Sequence, residues 1–144
     1  MAERIYFRQT SAFETEVRAQ LEEDQAEEVE LHLVSEIVEL NPYGMLLVGL
    51  GGCTAAVLHT YAQHHKLALR EVGINLSYDR VFKEDCENCE NIDRYQELIE
   101  EQISLSGDLT QEQREKLFQI SHHCPIQKML KSGVEVKSSL VEQG

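Results

Sequence analysis

The chain has 144 residues, 42% of them hydrophobic, and carries 26 acidic against 13 basic side chains for a net charge of −13. That charge repels a phosphate backbone and argues against nucleic acid and anionic membrane as partners. Its plainer use is solubility, with an acidic docking surface as the alternative.

A chain of this length buries roughly 68–70% of the surface its unfolded form exposes, so a single domain over residues 1–144 needs no disulfide or metal to fold. The first residues, Met1-Ala-Glu-Arg4, hold no apolar segment of signal-peptide type. The longest apolar run, Met45–Leu58, is short of the about 20 residues that a membrane span requires. The expectation is a cytoplasmic protein whose four cysteines are reduced at rest. They are then available for metal binding, redox chemistry or packing.

Ile5–Gln9 and Phe13–Leu21 alternate apolar and polar residues with a period of two, separated by a turn at Thr10-Ser11-Ala12. Glu22–Glu28 is an acidic loop, and Val29–Val38 alternates again. The opening reads as a three-stranded antiparallel meander. Asn41-Pro42 is a helix start, with Asn as N-cap and Pro at the first helical position. The helix runs to about Lys66, is apolar around its centre and is expected to be buried on all sides. Gly44, Gly49, Gly51 and Gly52 each cost about 1 kcal/mol of helix propensity, which implies a close neighbour or a ligand.

Leu67–Phe82 is a long strand, Lys83–Asn91 a charged loop, and Ile92–Ser106 an imperfectly alternating strand. Thr110 caps a helix over Gln111–His122, with Glu112 one place short of a capping box. A short helix runs from Cys124-Pro125 to about Lys131, and Val134–Leu140 alternates as a final strand. The order βββ–α–ββ–αα–β is that of an α+β fold, an antiparallel sheet wrapped around a long central helix.

Gly49-Leu50-Gly51-Gly52 imitates a dinucleotide-binding fingerprint, and Glu71 stands where a ribose-binding acid would. The helix start at Asn41-Pro42 and the absence of βαβ units weigh against it. Cys53, taken alone, is a packing residue in a small-residue helix. Cys124 differs, because free N–H groups and the dipole at a helix start favour thiolate, and His122 and His123 adjoin it. Two cysteines on separate helices suit a two-thiol peroxide reductase. One thiolate attacks the O–O bond and becomes a sulfenic acid, and the other condenses with it to a disulfide. The attacking thiolate needs a cation, from Arg4, Arg8 or Arg18 or from a partner subunit. Cys86-Glu-Asn-Cys89 is a loop, half a zinc site or a redox relay. Its flanking carboxylates disfavour thiolate. His32, His59, His64, His65, His122 and His123 form no hydrolase or metalloprotease signature.

Asn41-Pro42, the apolar run into Gly51-Gly52-Cys53-Thr54-Ala55, and Cys124-Pro125-Ile126 with Met129-Leu130-Lys131 resemble the OsmC/Ohr family. The resemblance covers roughly Val29 to Leu140 and is nearest the OsmC-like branch. It implies an intertwined homodimer and reduction of a small-molecule organic hydroperoxide to the alcohol. Cys53 is then the peroxidatic thiol and Cys124 the resolving one. Regeneration is by a dithiol reductant of lipoyl type, with no cofactor and no metal. The well-characterised reductases carry a glutamate just after the Asn-Pro pair, holding an arginine against the thiolate. Tyr43 stands there in this chain, and Arg18, followed by Arg8, is the arginine expected at the site. The alternative is a non-catalytic OsmC-like protein that binds an apolar small molecule, or a metal through Cys86 and Cys89.

Overall fold

The computed structural model describes residues 3–20, 30–82 and 95–142. Strands β1 (Glu3–Thr10), β2 (Thr15–Gln20), β3 (Leu31–Leu33), β4 (Leu69–Phe82) and β5 (Tyr95–Gly107) form one antiparallel sheet in the order β3-β2-β1-β4-β5. Three α-helices accompany it among the described residues: α1 (Pro42–His64), α2 (Gln111–Ser121) and α3 (Pro125–Ser132). The expected α+β class and the antiparallel sheet around a long helix are what the structure has.

The expected alternation sets which face of each strand looks inward. Ile5 and Phe7 of β1 and Val72, Ile74, Leu76 and Tyr78 of β4 are buried. Phe7 sits between Val17 and Ile74 in register, and Leu76 pairs with Glu101. The turn between β1 and β2 carries Phe13 at φ 61, and its ring meets the buried His59 edge-on at 5.8 Å. His59 Nε2 also lies 3.0 Å from the Gln9 carbonyl, so this histidine is a satisfied member of the core.

Helix α1 starts where Asn41 caps it. The Asn41 side chain accepts from the Gly44 N–H at 2.8 Å and donates to Glu3 Oε2 at 2.6 Å, which ties the helix start to β1. Leu47, Leu50, Gly51, Thr54, Ala55, Leu58, His59 and Ala62 are buried, at the three- and four-residue spacing of one helical face. Gly51 explains one of the costly glycines. A Cβ there would stand 2.9 Å from Leu76 Cδ1 and 3.2 Å from Phe7 Cβ, so the helix lies almost on the sheet.

Burial on all sides does not hold. The opposite face stays open, with Met45 and Leu46 exposed and nothing within 4 Å of a Cβ built on Gly49. Helix α1 is long and apolar enough, by length and composition, to cross a membrane, longer than the apolar run alone indicates. Within this chain 44% of its most apolar stretch is buried, the packing of a core helix that lacks a cover on one side.

Two further expectations shift. The capping box of α2 uses Gln113 rather than Glu112. The Gln113 N–H donates to Thr110 Oγ1 at 3.1 Å, and Thr110 N–H donates to Gln113 Oε1 at 2.9 Å. Val134–Leu140 forms no strand in this chain. It runs on as exposed backbone, since a period-two pattern makes a strand only where a neighbouring edge accepts its hydrogen bonds. Among the described residues of Val29–Val38, Leu31–Leu33 forms a strand and Ile37–Glu39 turns as a short 3-10 helix.

Candidate thiol site

Cys53 lies on α1, one residue before the buried Thr54, and is partly exposed. Cys124 is fully buried at the N-cap of α3. The structure sets these two thiols, distant in sequence, close enough to act on one another. The element that does so is the tight link between α2 and α3. Leu117 and Ser121 anchor α2 in the core, and the chain turns at His122 and His123 so that Pro125 opens α3 beside α1.

The start of α3 faces Cys53. The Cys124 side chain makes no capping hydrogen bond. The Ile126 N–H instead donates to the Cys53 sulfur and favours its thiolate. Burial has the larger effect and pushes the Cys53 thiol up from 9.0. The Cys124 thiol, through its hydrogen bond and its charge, and the charge of Glu101 push the same way.

Glu101 belongs to the inward-facing row of β5, with Ile99, Ile103 and Leu105, which pack against the core. Thr54 Oγ1 donates to Glu101 Oε1 at 3.4 Å. Burial raises the Glu101 carboxyl above 4.5, against the Thr54 hydrogen bond and the positive charges of His122 and Lys131. The site therefore joins α1, β5, the end of α2 and the start of α3. Periodicity alone does not pick out Glu101, Ile126 or Thr54. The available signal for Glu101 was a charged residue within an otherwise apolar row.

Arg18 stands elsewhere in the chain. Its Nε lies 2.8 Å from Glu16 Oε1 on β2. Arg8 contacts Glu16 at 2.7 Å and Glu71 at 3.8 Å. Among the described residues, no arginine is one of the groups that set the state of Cys53. Tyr43, at the position of the family glutamate, holds a different arginine. Its ring stacks on Tyr78 at 4.5 Å, and its hydroxyl accepts from Arg80 Nη2 at 3.2 Å. Arg80 Nε also reaches the Tyr78 hydroxyl at 3.3 Å, and Tyr78 donates to Glu97 at 2.8 Å.

The glycine motif does not start a helix as a dinucleotide site requires. It lies inside α1, and Glu71 is a β4 residue beside Arg8. Cys86 and Cys89 lie outside the described residues. Among the described residues no group of three or more His, Cys, Asp or Glu side chains is placed to hold a metal. A cleft of about 510 Å³ lies between β5 and α2, lined by Ile103, Leu105, Arg114 and Phe118.

The model of the family described as OsmC-like protein matches residues 34–139. No curated protein sequence matches the chain. The fold is similar to the crystal structure of an OsmC-like hydroperoxide resistance protein from Jannaschia sp. CCS1. The TM-score is 0.62 at 13% identity, over 98% of this chain and 94% of that one. The family match covers both cysteines and most of the fold, and the chain belongs to the OsmC-like family.

Proposed function

We propose that this protein is a thiol-dependent peroxidase that reduces organic hydroperoxides to alcohols. Cys53 attacks the terminal oxygen and becomes a sulfenic acid, the alcohol leaves, and Cys124 condenses with the sulfenate to give the Cys53–Cys124 disulfide and water. The observation that carries this reading is the contact between the two thiols, with the Ile126 N–H on the sulfur of the more exposed one. Family membership supports it, as does the likeness to a protein called a hydroperoxide resistance protein. The apolar Ile99, Ile103 and Leu105 in the same β5 row as Glu101 favour an alkyl hydroperoxide over hydrogen peroxide.

The working unit is a homodimer. The open apolar face of α1 and the exposed Val134, Val136, Leu140 and Val141 give a second copy surface to cover. Arg18 then serves Cys53 only as a cation delivered by that second copy. A dithiol, of lipoyl type among others, returns the disulfide to thiols. Chemistry that needs a reduced thiol pair at rest supports a cytoplasmic location. The net charge of −13 supports a protein that works away from nucleic acid and anionic membranes.

A second reading rests on the cleft between β5 and α2, whose Ile103, Leu105 and Phe118 would take an apolar small molecule without chemistry. The test is consumption of cumene hydroperoxide with dihydrolipoamide as reductant. Catalytic turnover that is lost in Cys53→Ser supports the peroxidase. Equal consumption by wild type and Cys53→Ser removes it.

A further inference from the structure

A thiol that reduces a hydroperoxide needs two things besides a peroxide: loss of its own proton, and a proton for the alkoxide that leaves. Peroxidatic cysteines obtain the first most simply from a nearby cation. Among the described residues no basic side chain is one of the groups acting on Cys53, and a carboxyl is.

That carboxyl, Glu101, is poorly placed for mere solubility. It stands half-buried in the inward row of β5, across from Leu76 and between Ile99 and Ile103. An unpaired carboxylate among apolar side chains is costly. Thr54, next to Cys53 on α1, fixes one of its oxygens. Among the described residues, the titratable groups that interact electrostatically with it are Cys53 from α1, His122 at the end of α2 and Lys131 from α3. Glu101 therefore contacts α1 through Thr54 and lies within electrostatic reach of the end of α2 and of α3.

We infer that Glu101 is the proton carrier of the Cys53 reaction, a role that rests on the peroxidase reading above. The Glu101 carboxylate takes the Cys53 proton, leaving a thiolate beside a neutral acid. The thiolate attacks the terminal oxygen of the hydroperoxide, the sulfur–oxygen bond forms and the O–O bond breaks. Sulfur is oxidised by two electrons and the peroxide reduced by two. The leaving alkoxide takes the proton from Glu101, which returns to carboxylate. The balance is thiol plus hydroperoxide to sulfenic acid plus alcohol, with no proton drawn from solvent. Burial that raises Glu101 from its ordinary value makes its carboxylate a better acceptor for the Cys53 proton.

Two reagents separate this role from a structural one. Alkylation of Cys53 by iodoacetamide releases iodide, which needs no proton, so it reads thiolate alone. Reduction of cumene hydroperoxide in a single turnover reads thiolate and proton donation together. Glu101→Gln keeps the shape and the partner for Thr54 but carries no transferable proton. The expected result at pH 7 is a fall of about 100-fold or more in the peroxide rate, with alkylation unchanged or faster because a like charge has gone. Glu101→Asp recovers part of the peroxide rate. Parallel losses in both reactions, or no loss in either, overturn the role of Glu101 while leaving an active wild type as a peroxidase. A wild-type protein that consumes no hydroperoxide overturns both readings.

Discussion

The Ile126 N–H at the start of α3 donates to the Cys53 sulfur on α1, so the helix start serves the thiol across from it rather than Cys124, which caps it. A helix N-terminus carries roughly half a positive charge. Here it takes part of the place of the cation that Cys53 lacks among the described residues. Burial of Cys53 outweighs it, and thiolate is therefore scarce at neutral pH.

The first expectation concerns alkylation. Cys53 is partly exposed and Cys124 fully buried. Limited iodoacetamide should label Cys53 before Cys124. Because burial raises the Cys53 thiol from 9.0, its labelling rate should still be climbing at pH 9. Peptide mapping of a time course checks the order, and equal labelling of both thiols would contradict the geometry.

Cys124→Ser should leave the attack step intact and remove the thiol that closes the disulfide. Cumene hydroperoxide should then yield a Cys53 sulfenic acid that dimedone traps, and catalytic turnover with a dithiol should drop sharply. Intact-mass measurement reads the adduct. A dimedone-free Cys53 in this variant would show that it is not the attacked thiol.

Glu101 also makes stability depend on pH. Its folded value is raised above 4.5 by burial. Its contribution is therefore fully present below the unfolded value and lost as pH rises through the folded one. Thermal melts of wild type should show a decline above pH 4.5 that Glu101→Gln flattens. Identical pH profiles for the two proteins would mean that the carboxyl is not desolvated.

Two glycines of α1 should respond in opposite ways. Gly51→Ala drives a Cβ to within 2.9 Å of Leu76 and should destabilise the fold by about 1–3 kcal/mol. Gly49 faces open space in the chain. Gly49→Ala should therefore strengthen the helix by about 1 kcal/mol but loosen the homodimer proposed to cover this face. Denaturant melts read the first effect and sedimentation over a dilution series the second. A dimer unchanged by Gly49→Ala would place the interface elsewhere.

The sequence showed those features whose cause is local. Asn41-Pro42 marked the start of α1 because an N-cap and a first-turn proline act within four residues. Cys124-Pro125 marked α3 for the same reason, and alternation placed β1, β4 and β5. The misreadings are tertiary. Apolar residues around α1 implied burial on every side, but a single sheet covers one face, and only Gly51 marks where it lies closest. Val134–Leu140 has the pattern of a strand without an edge in this chain to pair with. Glu112 falls one place short of the box, and Gln113 completes it because it occupies the third helical position. The Ile126 contact is made by backbone and has no side-chain signature, and Tyr43 meets Arg80 only because β4 runs past the start of α1. The family was legible in the two cysteine motifs, while the contact between those thiols required the fold.

The most direct test of the account is disulfide mapping after one equivalent of cumene hydroperoxide on reduced, full-length protein. The account predicts a Cys53–Cys124 bond as the main product and its disappearance on adding dihydrolipoamide. A protein that keeps both thiols free, or pairs either one with Cys86 or Cys89 instead, would contradict it.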